Sequence, residues 1–123
     1  MVLGFKEQFI VKIFNGTKIH TIREDKHNRW KAGNKIHFAT GVRTKQYKEF
    51  MRGKCISVQE FKIVPPKDNN SLRTYLIDGK ELQPISDIVK LSKNDGFDKA
   101  SEFVNWFGDN FTGKIIHWTY FKY

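Results

Sequence analysis

The residues Gly16-Thr17-Lys18-Ile19-His20-Thr21-Ile22-Arg23 bring an amine, an imidazole, hydroxyls and a guanidinium into one short run. Lys26, His27, Arg29 and Lys31 follow closely, with only Glu24 and Asp25 against them. Cations at this density suit an anion-facing pocket or a phosphate track. They also suit a solvated strand edge on which lysines discourage pairing with another chain. Lys18, His20, Arg23, Lys26, Arg29 and Lys31 are therefore candidate ligand-binding residues. Trp30 joins them as the one tryptophan inside the basic loop, where a base could stack on it. In a regular strand Lys18, His20 and Ile22 share one face while Thr21 and Arg23 share the other. Lys18 and Thr21 converge on one site only if the chain turns or bulges just after Gly16.

Other chemistries find little support. His20, His27, His37 and His117 show no HxH, HExxH or Cys/His spacing, so no metal site is expected. Cys55, the single cysteine, excludes an internal disulfide and reads as a core residue of a β-prone run. No glycine-rich phosphate loop is present, and no cofactor is expected. Trp106 follows a helical core stripe and Trp118 sits in a terminal strand, which assigns both to packing.

A chain of 123 residues allows one domain, read as spanning 1–123, with a core large enough to be stable. The apolar fraction of 39% and the 11 phenylalanines argue against disorder. The net charge of +9 is uneven, for residues 1–54 hold 13 basic and 4 acidic side chains, and residues 55–123 hold 9 of each. A one-sided basic surface points to an anionic partner, nucleic acid before membrane. No run approaches the ~18 apolar residues that span a bilayer. Met1 to Glu7 lack a basic region followed by an apolar stretch, so no secretory signal is expected. These features together suggest a reduced, cytoplasmic setting.

The elements that must position the cluster follow from periodicity. Phe5, Phe9, Ile10, Ile13 and Phe14 form an apolar helical stripe that ends at Asn15-Gly16. Strands are expected over 17–23 and 35–40, with a polar loop over 24–32 between them. The stretch 46–64 reads as two strands, or one bent at Gly53. A loop over 65–70 precedes a tight hairpin, 73–77 and 80–83, turning at Asp78-Gly79. A short helix through Ile85, Ile88 and Val89 stops near Asn94-Asp95-Gly96. Another follows with Asp98 as N-cap and Ala100, Phe103, Val104 and Phe107 as its stripe. The run 114–121 closes the chain as a strand. This order is not the alternation of a parallel α/β fold, and it predicts a small α+β domain on a curved sheet or partial barrel.

Several segments in this order resemble the ASCH family, small domains with a PUA-like fold. Lys18-Ile19-His20-Thr21-Ile22-Arg23 after Gly16 is similar to the family's Gly-x-Lys-x-x-Thr-Ile-Arg signature, and Lys31-Ala32-Gly33-Asn34 stands where the family has Gly-Asp before a strand. Asp95-Gly96-Phe97, Ser101-Glu102-Phe103, Trp106-Phe107 and Ile115-Ile116-His117-Trp118 extend the likeness over most of the chain. The resemblance implies a mixed-strand pseudo-barrel flanked by two or three short helices, a cleft beside the Lys-x-x-Thr turn, and RNA as partner. One branch of the family hydrolyses the amide of N4-acetylcytidine with a Lys, a Thr and a Glu. On that likeness Lys18 would be the base and Thr21 the nucleophile, with Asp95 at the acidic position. Asp95 is one methylene shorter than the branch's Glu, and this chain is longer than that branch, chiefly between Lys45 and Asn70. The expected function is thus binding of RNA or a modified nucleotide at a basic cleft, with nucleoside amide hydrolysis as the alternative.

Overall fold

The computed structural model describes residues 1–69, 71–83 and 85–123, and it is α+β, with two sheets and three short helices. The strands are β1 (Val2–Gly4), β2 (His20–Arg23), β3 (Lys35–Thr40), β4 (Lys48–Lys54), β5 (Ser57–Val64), β6 (Thr74–Ile77), β7 (Lys80–Glu81) and β8 (Phe111–His117). The helices are α1 (Ile10–Phe14), α2 (Ser86–Asn94) and α3 (Ala100–Phe107). One sheet runs β1-β3-β4, with β1 parallel to β3; the other runs β2-β8-β5-β6-β7 and is antiparallel throughout.

Strand β8 explains the second sheet. It pairs with β2 on one side and β5 on the other, and Gly113 through His117 are all buried. A strand covered on both faces needs a continuous apolar run rather than alternation, and Ile115-Ile116 provide its centre. Phe61 of β5 meets Phe103, Phe107 and Phe111 at ring separations of 6.4, 6.3 and 6.1 Å. These contacts dock α3 on the five-stranded sheet. Phe38, Phe61, Phe103, Ile63, Ile115 and Ile116 are fully buried, each worth ~1.5–3 kcal/mol relative to an exposed side chain.

Most expected elements are present, with local differences. The strand β1 is not in the sequence reading, because three residues carry no periodicity and their order comes from pairing Leu3 with Phe38. The first helix starts later than its stripe. Lys6 is extended, a 3-10 turn spans Glu7–Phe9, and α1 begins at Ile10. Phe14, the last residue of the expected apolar stripe, is exposed, whereas Phe5, Phe9 and Ile13 are buried. The break in 46–64 falls at Cys55-Ile56, where Cys55 N–H donates to the Asn34 carbonyl, and not at Gly53. A bulge places Phe50 as an extra residue opposite Phe38-Ala39 of β3. Asp98 does not cap α3; Lys99 occupies the N-cap without a side-chain bond, and Asp98 instead pairs with Lys12 at 2.5 Å. The closing strand ends at His117, short of the expected 121. Asn70, the last residue of the expected loop, lies outside the described residues. Among the described residues, no helix is long and apolar enough to cross a membrane.

Gly113 tests the seam between β2 and β8. A Cβ there would lie 2.3 Å from the Arg23 carbonyl oxygen, a backbone atom that cannot swing away. Gly113→Ala should therefore lower stability by ~1–3 kcal/mol or more, read as a drop in the thermal midpoint. A midpoint equal to the wild type would contradict this packing.

Candidate functional site

Lys18 precedes β2, so the alternation of a strand does not govern its direction. The chain turns at Asn15-Gly16, with Asn15 Oδ1 accepting the Thr17 N–H at 2.9 Å. Lys18 N–H then donates to the Lys12 carbonyl and Ile19 N–H to the Asn94 carbonyl, each at 2.9 Å. This short segment is clamped between the ends of α1 and α2. The clamp turns the Lys18 side chain into a cavity of about 360 Å³ that Thr21, Arg23 and Asp95 also line. The turn after Gly16, the condition for Lys18 and Thr21 to converge, is met.

Lys18 Nζ donates to the Asp95 carbonyl oxygen at 2.6 Å and to Asp95 Oδ1 at 3.1 Å, with both side chains almost fully buried. Gly96 makes room for this. A Cβ there would sit 2.9 Å from Lys18 Cδ and 3.0 Å from Phe9, and its φ of +92° is one that side chains resist. Burial pushes the Lys18 amine below its ordinary pKa, the Asp95 carboxylate offsets part of that, and Arg23 and Lys12 add to the lowering. The amine lies 4.9 Å from the Phe9 ring centre and 5.7 Å from that of Phe5.

Arg23 and Thr21 share the cleft-facing side of β2, two residues apart. Arg23 Nε donates to Thr21 Oγ1 at 3.1 Å, and its Nη2 donates to the Gly4 carbonyl at 2.6 Å. The Thr21 oxygen thus accepts one bond while its own proton stays free to be donated. The guanidinium lies 5.1 Å from the Phe5 ring centre, so one aromatic ring serves both cations of the cleft.

His20 points away from the cavity and holds Asp95 from behind. The Asp95 carboxylate can only accept, so His20 Nδ1 carries the ring proton and donates it to Asp95 Oδ1 at 3.2 Å. The neutral ring then accepts at Nε2 from the Tyr123 hydroxyl at 2.6 Å, and that hydroxyl accepts in turn from Asn94 Nδ2 at 3.0 Å. Burial lowers the His20 pKa and keeps the ring neutral, against the pull of Asp95. His117 packs edge-on to His20 at 5.3 Å and donates from Nε2 to Gln59 Oε1 at 2.9 Å. Burial first, then His20 and Lys122, lower its pKa to about 4.

The remaining candidates lie elsewhere. Trp30, expected to stack on a base, is buried in the hydrophobic core and only borders the surface pocket that Lys26 and Arg29 also line. Lys26 and Arg29 are exposed beside Met1, Val2 and Trp30, away from the cleft, and Lys31 is exposed on the same loop. Asp25 folds that loop on itself by accepting the Arg29 and Trp30 N–H groups and the buried Lys114 amine. Sequence reasoning missed the aromatic wall: Phe5, Phe9, Phe97 and Trp106 all line the cavity. Trp106 is 48% exposed, and Lys6 Nζ sits 4.8 Å above its ring. Its position off the α3 stripe, on a face where polar residues are usual, was the available signal. No group of three or more potential metal ligands occurs among the described residues. Comparison of the chain with protein families, curated proteins and solved structures finds no match.

The two buried imidazoles set a pH dependence. The unfolded chain takes up protons at histidine near 6.5, whereas folded His117 does so only at about 4. Stability is thus full above about 6.5 and falls as pH drops toward 4, by at most ~1.4 kcal/mol per unit for each group. Urea unfolding at about pH 7.5 and about pH 5 reads the loss, and His117→Phe should shrink it. A loss of the same size in the variant would contradict the assignment.

Proposed function

We propose that this protein binds RNA or a nucleotide, seating a base or modified base in the Lys18–Arg23 cleft, and that it is an ASCH-type domain of PUA-like fold. In this reading the two sheets correspond to the pseudo-barrel of that fold. The observation that carries the proposal is one cavity walled by aromatic rings and floored by Lys18, Arg23 and Asp95. Rings accept the face of a base, and amine, guanidinium and carboxylate supply donors and an acceptor for its edge. With two cations and one carboxylate the floor keeps a positive balance, which suits a ligand that carries phosphate.

Fluorescence titration with labelled single-stranded RNA tests this. Trp106→Ala should cost ~1–3 kcal/mol of affinity through lost stacking. Affinity should fall as salt rises. Equal affinity in Trp106→Ala and wild type, or binding indifferent to salt, would overturn the reading.

A second reading, hydrolysis of an N4-acylated cytidine, draws on the hydrogen bond from Arg23 Nε to Thr21 Oγ1. That bond polarises the hydroxyl and leaves its proton free, and a buried amine of lowered pKa is the type of base that accepts it. Thr21 Oγ would attack the acetyl carbonyl and pass its proton to neutral Lys18. Lys18 would hand that proton to the cytosine amine as the C–N bond breaks. Water would then hydrolyse the acetyl-Thr21 ester, its hydroxyl leaving in acetic acid and its other proton restoring the Thr21 hydroxyl. Turnover of N4-acetylcytidine should fall about a hundredfold or more in both Lys18→Ala and Thr21→Ala. Turnover that persists in either variant, or none in the wild type, would rule this chemistry out.

A further inference from the structure

The cleft does not end at its aromatic wall. A second, open groove of about 530 Å³ adjoins it, and Phe5, Lys6 and Gly41 line both. Its other walls are the neutral polar side chains Gln8, Thr40 and Gln46, with Glu7 as the one acid. The outer wall is a loop built to hold its shape. Thr44 donates to the Gly41 carbonyl from its N–H at 3.0 Å and its Oγ1 at 2.7 Å, and Gln46 N–H donates to Thr44 Oγ1 at 3.1 Å. Gly41 is required here, since its φ is +62° and a Cβ would lie 2.6 Å from the Gln46 carbonyl oxygen. The tightened loop and the start of β4 carry Arg43, Lys45 and Lys48, all exposed, and no acid occurs between Lys26 and Lys48.

We infer that the ligand is a single strand of at least two nucleotides: one base enters the cleft and the adjoining nucleotide lies in the groove of Gln8, Thr40 and Gln46. The inference rests on the reading of the cleft as a nucleotide site. Lys6 stands at the junction of the two spaces, where the linking phosphodiester must cross, and its amine is already poised over Trp106. The neutral amides of Gln8 and Gln46 can donate to and accept from a base edge or ribose hydroxyl without charge. Arg43, Lys45 and Lys48 then neutralise the phosphates that follow. Glu7 would repel a phosphate placed against it, which leaves the cationic rim as the path for the backbone.

The test compares each of the four ribonucleoside 5′-monophosphates with the corresponding single-stranded homopentamer on the full chain. The best pentamer should bind about tenfold or more tightly than its monomer. Its log–log salt slope should be steeper by ~0.7 for each phosphate neutralised. Arg43→Glu/Lys45→Glu/Lys48→Glu should abolish that gain while holding monophosphate affinity within about twofold, and the single change Gln46→Glu should cut pentamer affinity alone. Equal affinity for monomer and pentamer, or a gain that survives both variants, overturns the strand inference while leaving the cleft reading intact. Failure of every monomer and pentamer to bind overturns both.

Discussion

A buried amine and a buried carboxylate must find each other, and the rest of the cleft is arranged around that demand. Lys18 and Asp95 are both withdrawn from water, and either one alone would be a charge without compensation, a defect worth ~3–5 kcal/mol. The pair is held from several directions. Backbone bonds to Lys12 and Asn94 fix the start of the Lys18 side chain, the Asp95 carbonyl takes a second bond from the amine, and His20 bonds the carboxylate from behind. Gly96 lets the two chains approach. A pair this well fixed contributes little net stability beyond what an apolar pair would. Its consequence is a cleft floor with a set charge pattern and a set direction.

The polar layer behind the floor extends the same constraint. Asn94, Tyr123, His20 and Asp95 form a chain in which each proton has one consistent owner, and Gln59 ties His117 and the Tyr123 backbone into the adjoining layer. A fully satisfied network in a low-dielectric interior is rigid, because any rotation strands a donor or an acceptor. His117 Nδ1 is the exception, a buried nitrogen with no partner among the described residues. This layer joins α2, β2, β5 and β8, so the cleft sits where the helices meet the larger sheet.

The legible parts of the molecule were those encoded locally. Strand β3, the hairpin at Asp78-Gly79 and the helices α2 and α3 follow from period and turn chemistry, and they appear within a residue or two. The chemical cluster at Lys18, Thr21 and Arg23 was visible as residue types, and the turn at Gly16 as the device that could unite them. What was not legible depends on contacts between distant segments. Trp30 reads as a loop aromatic in a cationic setting, yet Asp25 and Lys114 close that loop and drive the ring inward. The cations Lys26, Arg29 and Lys31 stand close in sequence to the cleft but on another surface. Trp106 joins the site only through its ring contacts with Phe9 and Phe97, and Phe5 through its place beside the Lys18 amine, all between segments distant in sequence. The positive charge of residues 1–54 is divided among separate places: Lys6, Lys18 and Arg23 line the cleft, Arg43, Lys45 and Lys48 stand exposed beside the adjoining groove, and Lys26, Arg29 and Lys31 occupy another surface.

A nucleotide seated in the Lys18–Asp95 cleft, as proposed, must perturb the side chains that line it. NMR observation of the Lys18 side-chain Cε–Hε and the indole N–H groups, during titration with each ribonucleoside 5′-monophosphate, tests this most directly. Saturable shifts are expected at Lys18 and Trp106 with at least one of the four, and none at the buried Trp30. Spectra in which Lys18 and Trp106 stay fixed at saturating concentrations of all four would contradict the proposed seating.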